Sequence, residues 1–288
     1  MKLKTFAAGF LAVCAAVVAI TLALDPPAST PSTALPGAPT SPPASWPDYS
    51  AGGPGFVRPA MPDGDLIAHG YKLVSHTYAV IGPEVPTSGM RFAGNNLACQ
   101  NCHLDGGTSR SGLPLVGVFK TYPKYSARSG RDISLAERID ECMTRSMNGR
   151  RLPDDSREMA AFLAYLRFIG EPEAVKTEPA PPPAQPASAA RGVEIYVRVC
   201  ATCHQPDGLG RRRGSPGSAL GYEFPPLWGP DSYNDGAGMD TFLRAVGFIQ
   251  HNMPRGVDPA HPQLSLQDAW DIEAFLQSKP RPRFDGKR

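Results

Sequence analysis

The stretch Cys99-Gln100-Asn101-Cys102-His103 constrains this chain more than any other. Two thiols three positions apart, followed at once by a histidine, make C-x-x-C-H, the pattern by which a c-type haem is attached. The thiols of Cys99 and Cys102 bond to the two vinyl groups of the haem, and His103 falls under the iron as an axial ligand. One copy alone would also suit a redox dithiol or half a zinc site. The pattern returns at Cys200-Ala201-Thr202-Cys203-His204. Two copies in separate domain-sized stretches point to two covalently bound haem c groups, with Cys200, Cys203 and His204 repeating the roles. A chain of 288 residues has room for about two domains. The fold expected is all-α, with two tandem cytochrome c-like haem domains joined by a Pro-rich linker.

Other function classes find no support. The net charge is +2, no G-x-G-x-x-G is present, and no basic run is interleaved with aromatics, so no nucleic-acid partner is expected. The cysteines say more. Four of the six belong to the two motifs, Cys14 lies in an apolar N-terminal run, and Cys142 is left without a protein partner. An odd thiol in an oxidising compartment is unstable unless something occupies its sulfur.

Taken in order, residues 1–24 carry two lysines and then a long apolar run, either a signal peptide or an N-terminal membrane anchor. Both readings export the rest of the chain to the periplasm, in keeping with haem attachment outside the cytoplasm. Residues 25–62 are a Pro-rich tether. The first cytochrome domain spans 63–170, the linker 171–190 and the second domain 191–280, followed by a basic tail expected to be disordered. In the first domain, residues 65–81 read as a helix, with His69 and His76 on its polar face. Ser134-x-x-Glu137 opens a helix to about Met147, and Asp155-x-x-Glu158 caps another whose Met159, Phe162, Leu163, Leu166 and Ile169 form a core stripe. In the second, Gly192, Ile195, Tyr196 and Val199 share a helical face leading into Cys200. Residues 241–251 form a helix before Asn252-Met253-Pro254, and Ser265-x-x-Asp268 opens the last. The order of elements is the same in both halves, a diverged internal repeat.

Each haem needs a second axial ligand for electron transfer. In the second half Met253 is the first candidate, with His251 and Met239 as rivals. A thioether stabilises Fe(II) and raises the potential. In the first half Cys142, Met143 and Met147 are all candidates. A thiolate would lower the potential of the first haem, so that electrons enter there and leave through the second.

Longer strings carry a resemblance. They include Asn95-Asn96-Leu97-Ala98 running into the first motif, Arg138-Ile139-Asp140-Glu141-Cys142-Met143 and Ser146-Met147-Asn148-Gly149. In the second half they include Phe224-Pro225-Pro226-Leu227-Trp228-Gly229-Pro230-Asp231-Ser232 and Gly236-Ala237-Gly238-Met239. Over nearly all of the exported chain they resemble the thiosulfate dehydrogenases, periplasmic dihaem cytochromes c that join two thiosulfates into tetrathionate. The resemblance implies His103 and Cys142 as axial ligands of an active-site haem, and His204 and Met253 as those of an electron-transfer haem. Some relatives carry a Lys just before this Met; here the position is Asn252, so a Lys-to-Met ligand switch is not carried over.

The chemistry fits the residues independently. Joining two thiosulfates releases two electrons, and two haems hold two. Cys142 is a sulfur nucleophile able to carry a sulfane adduct. Between residues 106 and 151, nine basic residues face four acids. For most of them a solvated charged face is the better reading. Arg138 stands one helical turn before Cys142 on the same face, and the resemblance adds Arg128, so these two are the expected oxyanion ligands. The expected redox partner is an external acceptor such as a small cytochrome c. Three rivals remain: a dihaem carrier with no chemistry of its own, another thiolate-haem sulfur cytochrome such as that of the Sox system, and a relative running towards tetrathionate reduction. Mass spectrometry of exported, matured protein is expected to show the polypeptide plus two haem masses; one haem or none would sink the two-domain reading.

Overall fold

The computed structural model describes residues 56–170 and 179–286. The apolar N-terminal run with Cys14, the tether up to residue 55 and the first part of the linker lie outside them, whereas the end of the tether is packed, with Phe56 stacked on Tyr71 at 4.3 Å. Among the described residues no helix is long and apolar enough to cross a membrane.

Each half is built on a pair of crossing helices. In the first, α1 (Gly64–Ser75) packs along α3 (Arg157–Phe168), and α2 (Leu135–Thr144) touches α3. In the second, α4 (Ala189–Ile195) crosses α6 (Leu266–Gln277), against which α5 (Phe242–Asn252) also packs. Both crossings depend on a glycine. A Cβ on Gly70 would lie 2.1 Å from the Ala161 carbonyl oxygen, and one on Gly192 would lie 2.0 Å from that of Asp271. The backbones approach more closely than any side chain allows. The repeat is therefore visible as one packing device used twice. Around the crossings lie two apolar clusters, one built on Ile67, Leu73, Met143, Phe162 and Tyr165, the other on Ile195, Tyr196, Trp228, Val246 and Phe275.

The helix starts follow from capping. Ser134 Oγ accepts from the Glu137 N–H at 3.1 Å while the Glu137 carboxylate accepts from the Ser134 N–H at 2.7 Å. Ser265 and Asp268 repeat this reciprocal pair at 3.0 Å in both directions. The start of α3 is corrected by one residue: Ser156, not Asp155, accepts from the Met159 N–H, at 3.1 Å. The expected stripe on α3 is buried at Met159, Phe162, Leu166 and Ile169, with Leu163 packed at its edge.

The helix expected over 65–81 is broken at His76, between α1 and a short turn over Thr77–Val80. The break serves the first motif. Thr77 Oγ1 donates back to the Leu73 carbonyl at 2.5 Å and accepts from the Cys99 N–H at 3.1 Å, while Gln100 Nε2 donates to the Ser75 carbonyl at 2.6 Å. Local polar groups thus take over the hydrogen bonds that a continuous helix would have used. Two small antiparallel hairpins interrupt the loops, β1 (Lys124–Ser126) with β2 (Arg131–Ile133) and β3 (Arg211–Arg212) with β4 (Tyr222–Phe224). The described part of the Pro-rich linker lies on α6, where Trp270 Nε1 donates to the Pro181 carbonyl at 3.1 Å. The tail up to 286 is also held, contrary to the expectation of disorder. The Phe284 N–H donates to Asp235 at 2.6 Å and the Asp235 N–H donates to the Pro282 carbonyl at 3.0 Å.

Gly70→Ala and Gly192→Ala are each expected to destabilise the protein by about 1–3 kcal/mol through overpacking. Denaturant unfolding measures this, and unchanged midpoints in both variants would show that the crossings relax freely.

Candidate functional site

Both C-x-x-C-H segments are wound tightly, as a 3-10 turn over Cys99–Asn101 and as a π-helical turn over Tyr196–Cys200 running into Ala201–His204. Each motif histidine is held by one ring nitrogen. His103 Nδ1 meets the Leu113 carbonyl at 2.5 Å and His204 Nδ1 meets the Pro225 carbonyl at 2.8 Å. A carbonyl only accepts, so Nδ1 carries the proton and Nε2 keeps its lone pair. Burial pushes the pKa of both imidazoles down, which keeps them neutral. None of the motif cysteines is in a disulfide. Burial pushes the Cys99 thiol up to about 11 and the Cys102 thiol up to about 12, the reverse of what a reactive redox dithiol needs. Among the described residues no three of His, Cys, Asp and Glu gather at metal-binding distance. Unpaired thiols beside a neutral histidine with a free Nε2 fit haem c at both positions.

The structure separates the three candidates of the first half. Met143 and Met147 are 1% and 2% exposed and belong to the first core cluster. Cys142 is half-buried, in no disulfide, and near enough for its charge to act on Cys99 and Cys102. The nearness of the Cys142 sulfur is the first cause that raises the pKa of the Arg138 guanidinium, against burial, which lowers it. Arg138 donates to Glu141 at 2.7 Å. Other basic residues of the 106–151 stretch have structural duties: Arg131 pairs with Glu137 at 2.5 Å, and Arg150 lies over the Phe92 ring and donates to the Gly89 carbonyl.

The second half reaches into this site. Arg128 and Arg145 both donate to the Gly236 carbonyl, at 3.3 and 3.4 Å, and Arg244, on α5, donates to that of Gly238 at 3.4 Å. Arg128 and Arg145 line an open cleft of about 400 Å³ with Asp235, Gly236, Ala237, Asp240 and Thr241. Desolvation and then the positive charges of Arg138 and Arg128 make the Arg244 guanidinium harder to keep protonated, and the charge of Cys142 opposes them. Arg244 escaped the sequence reading because it lies in the other half and no local pattern marks it.

Of the ligand candidates in the second half, Met253 follows α5 directly in extended backbone. His251 is turned to the Pro259 carbonyl at 3.2 Å, and Met239 lies in the turn Gly238–Asp240. His69 stands 3.6 Å from Glu158, and His76 bonds to Ser75 Oγ. Asn252 is 5% exposed and is tied to the first half: its Nδ2 donates to the Ser111 carbonyl at 3.0 Å and its Oδ1 accepts from Ser111 Oγ at 2.8 Å. Residues 111–113 thus touch His103 at one end and the neighbour of Met253 at the other.

The chain resembles known proteins in both halves. Residues 91–172 match the SoxA/TsdA cytochrome c domain, and residues 189–280 match the cytochrome c family. A thiosulfate dehydrogenase of Allochromatium vinosum is 38% identical over 237 residues, covering 78% of this chain and 82% of the relative. Another, of Stutzerimonas stutzeri, is 34% identical, covering 80% and 75%. The thiosulfate dehydrogenase TsdBA of Marichromatium purpuratum, in its as-isolated form, superposes with a TM-score of 0.68 at 31% identity. That match covers 80% of this chain and 49% of the longer one.

Asn252→Ala removes both side-chain bonds to Ser111. Faster amide exchange is expected across 111–113 and 249–253, measured by hydrogen-exchange mass spectrometry. Unchanged protection there would mean that other contacts carry the seam.

Proposed function

The chain belongs to the thiosulfate dehydrogenase family, and on that premise we propose that it joins two thiosulfates into tetrathionate at a site formed by Cys142 and the arginines around it. The observation that carries the reading is a half-buried thiol in no disulfide, Cys142, one helical turn from Arg138 on the same face of α2.

Cys99 and Cys102 would attach one haem and Cys200 and Cys203 the other, and His103 with Cys142 in the first half and His204 with Met253 in the second would hold the iron. Bound there, the two haems supply two one-electron acceptors, matched to the two electrons that the coupling releases. As a thiolate Cys142 would lower the potential of a haem held in its half and Met253 would raise that of the other, so that electrons would pass from the first half to the second and on to an external acceptor such as a small cytochrome c.

The thiolate of Cys142 and the terminal sulfur of one thiosulfate form an S–S bond with loss of two electrons. The terminal sulfur of a second thiosulfate then attacks the sulfur that bears the sulfonate. Tetrathionate leaves and the Cys142 thiolate is restored. No proton is consumed, so the site needs a nucleophile and positive charge rather than a general base. Arg138 supplies a charge beside the sulfur, and Arg128, in the wall of the cleft, supplies a second. The export signal read over residues 1–24, together with haem attachment outside the cytoplasm, supports a periplasmic location.

Thiosulfate oxidation coupled to ferricyanide, with tetrathionate identified as product, tests the activity. Cys142→Met is expected to keep a six-coordinate haem yet lose nearly all turnover, and Cys142→Gly to lose turnover and open a coordination position, both read by EPR alongside the assay. Substantial turnover in both variants with both haems loaded would make Cys142 a bystander.

A further inference from the structure

Coupling two dianions requires a place for the second one, and the arginines of this site are not all used by the first. Arg138 stands beside Cys142 and is partly neutralised by Glu141. Arg128, Arg145 and Arg244 have no carboxylate within ion-pair distance among the described residues. They are gathered instead on two backbone carbonyls of the 236–238 turn. That turn is shaped for them: a Cβ on Gly236 would lie 3.0 Å from Arg145 Nη1, and one on Gly238 would lie 2.7 Å from Arg244 Nη1. The cleft beside them opens to solvent and has room for an oxyanion. Its two carboxylates are engaged elsewhere, Asp235 by the Phe284 N–H at 2.6 Å and Asp240 by Arg281 at 3.5 Å. Asp235 and Asp240 in the cleft lining and Glu141 near Arg145 offset the mutual repulsion of these three guanidinium groups only in part, and a bound dianion removes more of it.

We propose that Arg128, Arg145 and Arg244, gathered on the 236–238 turn, form a second oxyanion subsite that holds the attacking thiosulfate beside Cys142. The proposal rests on the thiosulfate-coupling reading and adds to it that the second half supplies part of the substrate site. Arg244 is then a specificity residue contributed across the seam. Its position fits the role, since its guanidinium feels Arg138, Arg128 and Cys142 at once.

The test uses fully haem-loaded, oxidised enzyme and two readouts. The first is equilibrium dialysis with radiolabelled sulfate, a tetrahedral dianion that the enzyme cannot couple. The second is the thiosulfate concentration giving half-maximal turnover. Arg244→Gln is expected to weaken sulfate binding and raise the half-saturating thiosulfate concentration by about tenfold each, the scale of one lost charge-assisted hydrogen bond. Arg244→Lys should recover part of both. Gly238→Ala, which pushes the Arg244 guanidinium aside, should move both in the same direction as Arg244→Gln. The haem spectra and potentials should stay as in the unaltered enzyme. If the unaltered enzyme binds no sulfate saturably, or Arg244→Gln leaves both readouts unchanged, the subsite is wrong. If sulfate binding falls in the variants while the unaltered enzyme makes no tetrathionate, the subsite stands and the coupling reading falls.

Discussion

One carboxylate pins the two halves together. Asp231, in the long loop of the second half, accepts from the Asn96 N–H at 3.0 Å, from Asn96 Nδ2 at 3.2 Å and from the Tyr222 hydroxyl at 2.7 Å, and Arg212 approaches it at 3.5 Å. Asn96 is 4% exposed and lies three residues before Cys99. An ionised acceptor shared by several partly buried donors gives stronger bonds than neutral pairs, and removing it strands every donor. Around this pin Asn95 Nδ2 donates to the Ser232 carbonyl at 3.2 Å and Asn234 Nδ2 to that of Thr144 at 3.0 Å. The segment 231–234 is thereby laid against both the first motif and the end of α2, which carries Cys142.

That placement explains how so much positive charge is gathered. A guanidinium has five donors and tolerates a backbone carbonyl as a resting partner without losing its charge. The 236–238 turn follows directly from the pinned segment, and its carbonyls give Arg128, Arg145 and Arg244 such partners. Arg145 is further steadied over the Phe284 ring at 4.1 Å. The segment bearing Phe284 is itself fixed by Asp235, which is why the Pro-containing stretch up to Phe284 is ordered here. Its main-chain groups are used by the cleft wall.

Much of the fold was legible because its signals are local. The two C-x-x-C-H motifs, the Ser134 and Ser265 boxes and the Met159-to-Ile169 stripe each involve residues a few positions apart, and capping and periodicity read such spacings directly. The misreadings were decided by distant partners. The break at His76 depends on Cys99 and Gln100 taking the freed hydrogen-bonding groups, more than twenty residues away. The cap of α3 fell one residue late because Asp155 and Ser156 are both good caps and only the geometry of the Met159 N–H chooses. The nearness of Arg138 to Cys142 was legible from their one-turn spacing, whereas Arg244 shares no sequence neighbourhood with either.

The shared turn also bears on how such a chain can change over generations. A cytochrome whose halves met only through a linker could exchange one half for another by recombination and keep both functions. Here the carbonyls of Gly236 and Gly238 belong to one half and two of the guanidiniums they seat, those of Arg128 and Arg145, belong to the other. A foreign second half without that turn would leave these arginines unseated and the cleft without its wall. The two halves therefore share one cleft wall, and a substitution on either side of the seam is felt on the other.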